Sequence, residues 1–178
     1  PGALDGFELA IQAIVGQQVS VAAARTLLSR LVAALGESVS TPFPDLTHCF
    51  PTPQALRDAG EDRLGALGIV RQRQAAIRAL ADEVLAGRLN LQPGGDVPAT
   101  LAALRALPGI GDWTAQYIAL RALRWPDAFP AGDVALRKAL GAATAREAEV
   151  RAQGWRPWRG YAVLRLWQGH FNPEGGHP

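Results

Sequence analysis

Apolar residues in this chain recur at three- and four-residue intervals and almost nowhere alternate with polar ones, so the pattern predicts amphipathic helices and an all-α fold. The first helix reads from Leu4 to Val15. Ser20 is an N-cap for a second, whose Ala24, Leu28, Leu31, Val32 and Leu35 form one stripe before Gly36 ends it. Thr52-Pro53, a cap followed by proline at the first helical position, starts a short third helix. After Leu67-Gly68-Ile69-Val70 a longer helix runs from about Arg71 to Ala86, with Ile77, Leu80, Ala81, Val84 and Leu85 inward and Gly87 as its stop. Further helices are expected at about 97–106, 112–124, 133–140, 145–153 and 157–170. Prolines 42, 44 and 51 mark a loop after Gly36, and Gln92-Pro93-Gly94-Gly95 marks a turn that divides two lobes.

Composition narrows the classes. With 48% apolar and 19% charged residues over 178 positions, the chain can bury a core and lies outside the range of disordered sequences. Eighteen basic against sixteen acidic residues leave a net charge of +2, and Lys138 is the only lysine. That balance permits nucleic acid binding without requiring it. The single Cys49 excludes a disulfide framework or a multi-cysteine metal or iron–sulfur site, and His48, His170 and His177 have no second ligand at metal spacing. No segment reaches the roughly 20 apolar residues of a bilayer span, and the N-terminus lacks a secretory pattern. The expectation is a soluble, cytoplasmic, monomeric protein. The absence of methionine anywhere raises the expectation of a piece cut from a longer protein.

The chemistry-bearing features begin at Leu107-Pro108-Gly109-Ile110-Gly111, a tight turn between two helices. A helix N-terminus preceded by glycines offers unpaired N–H groups to an anion such as a phosphate, although the same five residues also suit a plain helix connection. Trp113 and Tyr117 lie four apart on one helix and point the same way, with Trp167 on the last helix as a facing wall; aromatics at that spacing also serve as core. Asp133 follows Gly132 and opens Val134-Ala135-Leu136-Arg137-Lys138 as an ordinary N-cap, and a carboxylate at a helix N-terminus also suits a group that stabilises a developing positive charge and orients or deprotonates a water. Gln17-Gln18 close the first helix, where solvent-facing glutamines are the plain reading. Arg71, Arg73, Arg137, Lys138, Arg156 and Arg159 are candidate phosphate contacts, but exposed arginines on helices usually form solvated faces.

The run Leu107 to Ala115, followed by Gly132-Asp133-Val134, resembles the helix-hairpin-helix base-excision DNA glycosylase superfamily. Four further segments are similar to its 3-methyladenine DNA glycosylase II branch: Ala13-Ile14-Val15-Gly16-Gln17-Gln18-Val19-Ser20, Phe50-Pro51-Thr52-Pro53, Ala66-Leu67-Gly68-Ile69 and Trp155 to Ala162. The resemblance implies a two-lobed glycosylase core over residues 1–178, with the hairpin at about 104–114 and a cleft between the lobes. The expectation is a core without the mixed α/β domain that commonly precedes it in the family. It further implies an enzyme that flips and excises alkylated bases such as 3-methyladenine from double-stranded DNA, leaving an abasic site. Asp133 would be catalytic and Trp113, Tyr117, Trp167 and Gln17 would form the base pocket. Gln18 would plug the gap left by the flipped nucleotide, and Gly109, Ile110, Gly111 and Thr114 would hold DNA. No cofactor is implied beyond a structural monovalent cation on the backbone carbonyls of Arg105, Leu107 and Gly109. Members that also cleave the strand carry a lysine two residues past the second hairpin glycine. Trp113 stands there, which implies no lyase activity. Two other readings stay open: a non-catalytic DNA-binding module, and a helical interaction domain with no nucleic acid role.

Overall fold

The computed structural model describes the backbone of residues 2–171 and side chains as far as residue 169. Among these residues there are ten α-helices: α1 (Gly6–Val15), α2 (Val21–Leu35), α3 (Pro53–Asp58), α4 (Gly60–Ala66), α5 (Arg71–Leu85), α6 (Val97–Ala106), α7 (Asp112–Arg121), α8 (Val134–Leu140), α9 (Ala145–Arg151) and α10 (Arg159–Phe171). One turn of 3-10 helix covers Gln153–Trp155. The only β-pairing among the described residues is an isolated bridge between Ser38 and His48.

Most helices begin where a side chain can accept from an orphan N–H. Asp5, Ser20, Thr52, Asp96, Asp133 and Thr144 each do so, each contributing about 1 kcal/mol. Asp5 also corrects the expected start of α1: its carboxylate takes the Glu8 N–H at 2.7 Å, which leaves Leu4 outside the helix and fully exposed. The pattern did not separate α3 from α4. Gly60, the first residue of α4, has φ +70°, a conformation that breaks the helix and favours glycine.

α1 is the shared core element. It packs on α2 and α5 on one side and on α7 on the other, and Phe7, Leu9, Ala10, Ile11, Ala13, Ile14 and Val15 are all buried. The α2 stripe is less buried than its periodicity implies: Leu31 alone is fully enclosed. Ala24 and Leu28 border an open cavity between α2 and α7, and Leu28 also packs against the core from a half-buried position. On α5, Ile77, Leu80 and Ala81 are buried, while Leu85 at the last helical position is exposed.

The segment 126–133, between α7 and α8, is irregular and yet largely buried. Arg159 holds it. Its Nε and Nη2 donate to the two Asp127 carboxylate oxygens at 2.7 and 2.8 Å, and Nη2 also reaches the Asp127 carbonyl at 2.9 Å. The guanidinium lies 5.4 Å from the Phe129 ring centre, and Glu149 completes its neutralisation. Gln116 accepts from the Phe129 N–H at 2.9 Å, and the Gly160 N–H donates to the Pro126 carbonyl at 2.7 Å. Arg159 is 3% exposed, so its expected role as a phosphate contact is corrected: sequence cannot reveal that a carboxylate 32 residues away buries it. Arg156 likewise pairs with Asp127, at 2.7 Å.

Removing one partner of a buried ion pair leaves the other charge uncompensated. Arg159→Met is expected to lower stability by about 3–5 kcal/mol, seen as a fall in the denaturant midpoint. An unchanged midpoint would show that the pair contributes nothing net.

Candidate active site

The hairpin between α6 and α7 is built around Gly109, at φ +74°, and Gly111, the N-cap of α7. No side chain caps α7, and the N–H groups of Gly111, Asp112 and Trp113 have no hydrogen-bond partner among the described residues. They form an open anion-binding end. The nearest carboxylate, Asp112, accepts from Arg105 Nε at 2.9 Å, which offsets its repulsion of an anion. Ile110 and Thr114 point inward, 4% and 3% exposed, so any contact they make with a phosphate runs through the backbone and not the side chain.

Gln17 is likewise corrected. It does not line the cavity; its Nε2 donates to the Gly109 carbonyl and to Thr114 Oγ1, both at 3.0 Å. Both amide hydrogens are thereby spent, and the end of α1 is lashed to the hairpin. Arg73, expected at a phosphate, donates to the Gln17 carbonyl instead. Gln18, exposed at the turn that follows, has φ +52°. A non-glycine residue in that region costs about 1 kcal/mol or more, and here the Gln17 and Arg73 bonds hold it. The three carbonyls expected to ligate a cation are partly engaged, since Leu107 accepts from Ile110 N and Gly109 accepts from Gln17. Each keeps a second lone pair, and Arg105 lies in the last turn of α6, where carbonyls lack helical partners, so each of these oxygens has capacity for one further ligand.

Beside the hairpin, a cavity of about 560 Å3 opens between α1 and α2 on one side and α7, α8 and α10 on the other. Trp113, Tyr117, Trp167 and Asp133 all border it. Trp113 and Tyr117 are stacked at 5.2 Å and 7°, as their spacing predicts. Trp167 is 6.2 Å from Tyr117 but inclined by 47°, so the rings make an angled platform and not two parallel walls.

Asp133 is the centre of this arrangement. Its Oδ1 accepts from the Leu136 N–H at 2.8 Å and from Trp167 Nε1 at 3.0 Å; its Oδ2 accepts from Trp113 Nε1 at 3.0 Å. The capping role and the cavity position therefore coexist in one side chain. A carboxylate has about four acceptor directions, so three bonds leave one, on Oδ2, for a guest.

Sequence reasoning passed over Gln12, Arg25 and Arg121, which also border the cavity. The signal for Arg121 was present: it lies four residues beyond Tyr117, on the same helical face. Of the remaining candidates, Arg137 donates to the Ala143 carbonyl at 2.7 Å, while Arg71 and Lys138 are exposed. His48 meets only Thr47 Oγ1, at 2.9 Å; the His170 side chain and all of His177 lie outside the described residues. Among the described residues no three metal-ligating side chains cluster, and no helix is long and apolar enough to cross a membrane.

An uncapped hairpin grip next to a carboxylate in an aromatic cavity defines a helix-hairpin-helix protein with a cleft suited to a flat guest. The chain belongs to the HhH-GPD superfamily of base excision DNA repair proteins, whose family model matches residues 11–159. It is 40% identical to DNA-3-methyladenine glycosylase 2 of Escherichia coli over 94% of this chain and 58% of that protein. It is 43% identical to a probable bifunctional transcriptional activator/DNA repair enzyme AlkA of Mycobacterium tuberculosis, over all of this chain and 36% of the relative. The chain thus spans between about a third and three-fifths of these relatives. Among solved structures, the 3-methyladenine DNA-glycosylase of Archaeoglobus fulgidus superposes with a TM-score of 0.80 at 25% identity, over 95% of this chain and 59% of the other.

The bonding of Asp133 yields a direct expectation. An asparagine there can keep the Leu136 and Trp167 bonds through its one oxygen, but its NH2 then faces Trp113 Nε1–H, donor against donor. Asp133→Asn should fold, lose roughly 1–3 kcal/mol of stability, and shift the tryptophan emission as the Trp113 indole is released. A denaturant titration followed by fluorescence reads both.

Proposed function

We propose that this chain is a monofunctional DNA N-glycosylase that flips alkylated bases such as 3-methyladenine out of double-stranded DNA and hydrolyses the bond joining them to the sugar. One observation carries the reading: a carboxylate, oriented by two indole N–H groups, bordering an aromatic cavity with room for a nucleobase. The similarity to named 3-methyladenine DNA glycosylases supports the same substrate class.

The residues divide the work as follows. The free N–H groups of Gly111, Asp112 and Trp113 hold a backbone phosphate, which positions the duplex without reading its sequence. A cation on the Arg105, Leu107 and Gly109 carbonyls would add positive charge behind them. Gln18, at the exposed tip, fills the gap left by the extruded nucleotide and hydrogen-bonds the orphaned partner base. In the cavity, Trp113, Tyr117 and Trp167 supply flat faces.

Bond breaking sends the electron pair of the C1′–N bond onto the departing base and leaves an oxocarbenium-like sugar. The ionised Asp133 stabilises that cation electrostatically. The remaining acceptor direction of Oδ2 orients a water whose oxygen bonds C1′, and the proton it sheds passes to Asp133 or to solvent. An alkylated purine that already bears positive charge leaves as a neutral base, so no separate general acid is required. The indole at position 113 cannot attack the sugar as an amine would, and Lys138 is five residues beyond Asp133, so the product is an intact abasic site.

The test is base release from a methylated duplex. The unaltered chain should release modified bases, and Asp133→Asn should do so at least about a hundredfold more slowly while binding the duplex normally. Borohydride should trap no protein–DNA adduct. Near-normal release by the variant, or a trapped adduct, would overturn the water mechanism.

The hairpin makes a second expectation. A Cβ at Gly111 would meet no protein atom within 4 Å, and its φ of −84° suits any residue. Gly111→Val should therefore keep the melting temperature of the parent but weaken binding to damaged and undamaged duplexes alike, as a titration in dilute salt would show.

A further inference from the structure

Gln12 borders the same cavity as Asp133, from the α1 side. It also borders a second groove of about 380 Å3, between α1, α2 and the loop 45–50, and Glu8 borders that groove but not the cavity. One helical turn joins the two residues: Gln12 Nε2 donates to Glu8 Oε1 at 2.9 Å. An ionised carboxylate only accepts, so Glu8 decides which end of the amide faces it. The bond favours the ionised form, acting against burial and the charge of Asp5, which both push the Glu8 carboxyl up. With its NH2 drawn to the groove, Gln12 has its carbonyl oxygen left for the cavity, and donation to a charged acceptor strengthens that oxygen as an acceptor in turn. The place of Gln12 along α1 sets what it meets. α1 leads into the turn that carries Gln18, and Gln12 lies five residues before Gln17, about 8 Å back along the axis. A base entering from the Gln18 end with its sugar bond at Asp133 brings its far edge to this depth. Of the other polar side chains there, Arg25 and Arg121 only donate, Tyr117 offers its ring face, and the free direction of Asp133 serves the water at the sugar.

From this arrangement we infer that Gln12, held by Glu8, is a specificity-determining residue: its carbonyl accepts a hydrogen bond from the exocyclic amine of a 6-aminopurine, and so ranks alkylated adenines above alkylated guanines. A guanine carries a carbonyl at the same ring position and meets Gln12 acceptor to acceptor. The amide does not turn over to suit it, because that would set the Gln12 oxygen against the Glu8 carboxylate. Purines alkylated at N3 or N7 bear the same positive charge before cleavage whether they are adenines or guanines, so the distinction is made by hydrogen bonding and not by charge. The inference rests on the glycosylase reading and deepens it: excision requires Asp133, while the order among substrates of equal charge is set on α1.

Gln12 is exposed and lies outside the core, so it can be changed without disturbing the fold. The experiment measures single-turnover release of 3-methyladenine and of N7-methylguanine from one methylated duplex by the 178-residue chain and by Gln12→Leu, Gln12→Lys and Glu8→Gln. Gln12→Leu should lower the ratio of methyladenine to methylguanine release about three- to tenfold, the loss of one hydrogen bond. Gln12→Lys keeps a partner for Glu8 one turn away and puts a donor where the acceptor stood, so it should lower the ratio further. Glu8→Gln leaves Gln12 in place but lets its amide turn either way, and should lower the ratio by a smaller factor. An unchanged ratio in Gln12→Leu and Gln12→Lys overturns the inference. So does an equal fall for both bases, the result expected of a residue that only shapes the cavity. A ratio lowered by Gln12→Leu and untouched by Glu8→Gln overturns the part assigned to Glu8. Release of neither base by the unaltered chain overturns the glycosylase reading and this inference with it.

Discussion

Three helices meet at one carboxylate. Asp133 caps α8 with its own backbone neighbour, and takes an indole proton from α7 and another from α10. Hydrogen bonds to an ionised acceptor are about twice as strong as neutral ones and far less forgiving of displacement. The placing of the two indoles beside each other and the direction of the one unspent lone pair follow from that junction. It also explains why a partly exposed acid can be held rigidly: its partners are indoles, which are bulky, have a single donor, and are themselves packed.

The junction depends in turn on the segment that delivers Asp133. Residues 126–133 have no regular hydrogen-bonding ladder, and a buried irregular segment needs its polar groups satisfied from elsewhere. Arg159, Gln116 and the Gly160 N–H supply those partners. The Asp127–Arg159 pair is costly to desolvate, and its return lies in placement as much as in stability. α10 thus acts on the site from both ends, anchoring the delivery segment through Arg159 and orienting the carboxylate through Trp167.

Much of this was legible in the sequence, and the boundary of legibility is physical. Local signals carried well: Ser20, Thr52 and Asp133 cap helices where their type and position predict, and Trp113 and Tyr117 stack because a helix brings every fourth residue round. Long-range pairings did not. Gln17 meets Gly109 and Thr114 across more than 90 residues, and nothing in the adjacent glutamines distinguishes the one turned inward from the one turned out. Arg159 looked like any surface arginine until Asp127 was seen beside it. The α2 stripe is enclosed at Leu31 and only partly covered at Ala24 and Leu28, because periodicity reports an apolar face without telling how much protein and how much open space lies against it.

The amide of Gln17 has a mechanical consequence. With both hydrogens committed, it leaves no slack between the hairpin and the turn that carries Gln18, and Arg73 braces the same turn from α5. The phosphate grip and the exposed tip are therefore the two ends of a fixed gauge. On the proposed function, a duplex seated at one end would have its register at the other dictated by the protein's own dimensions.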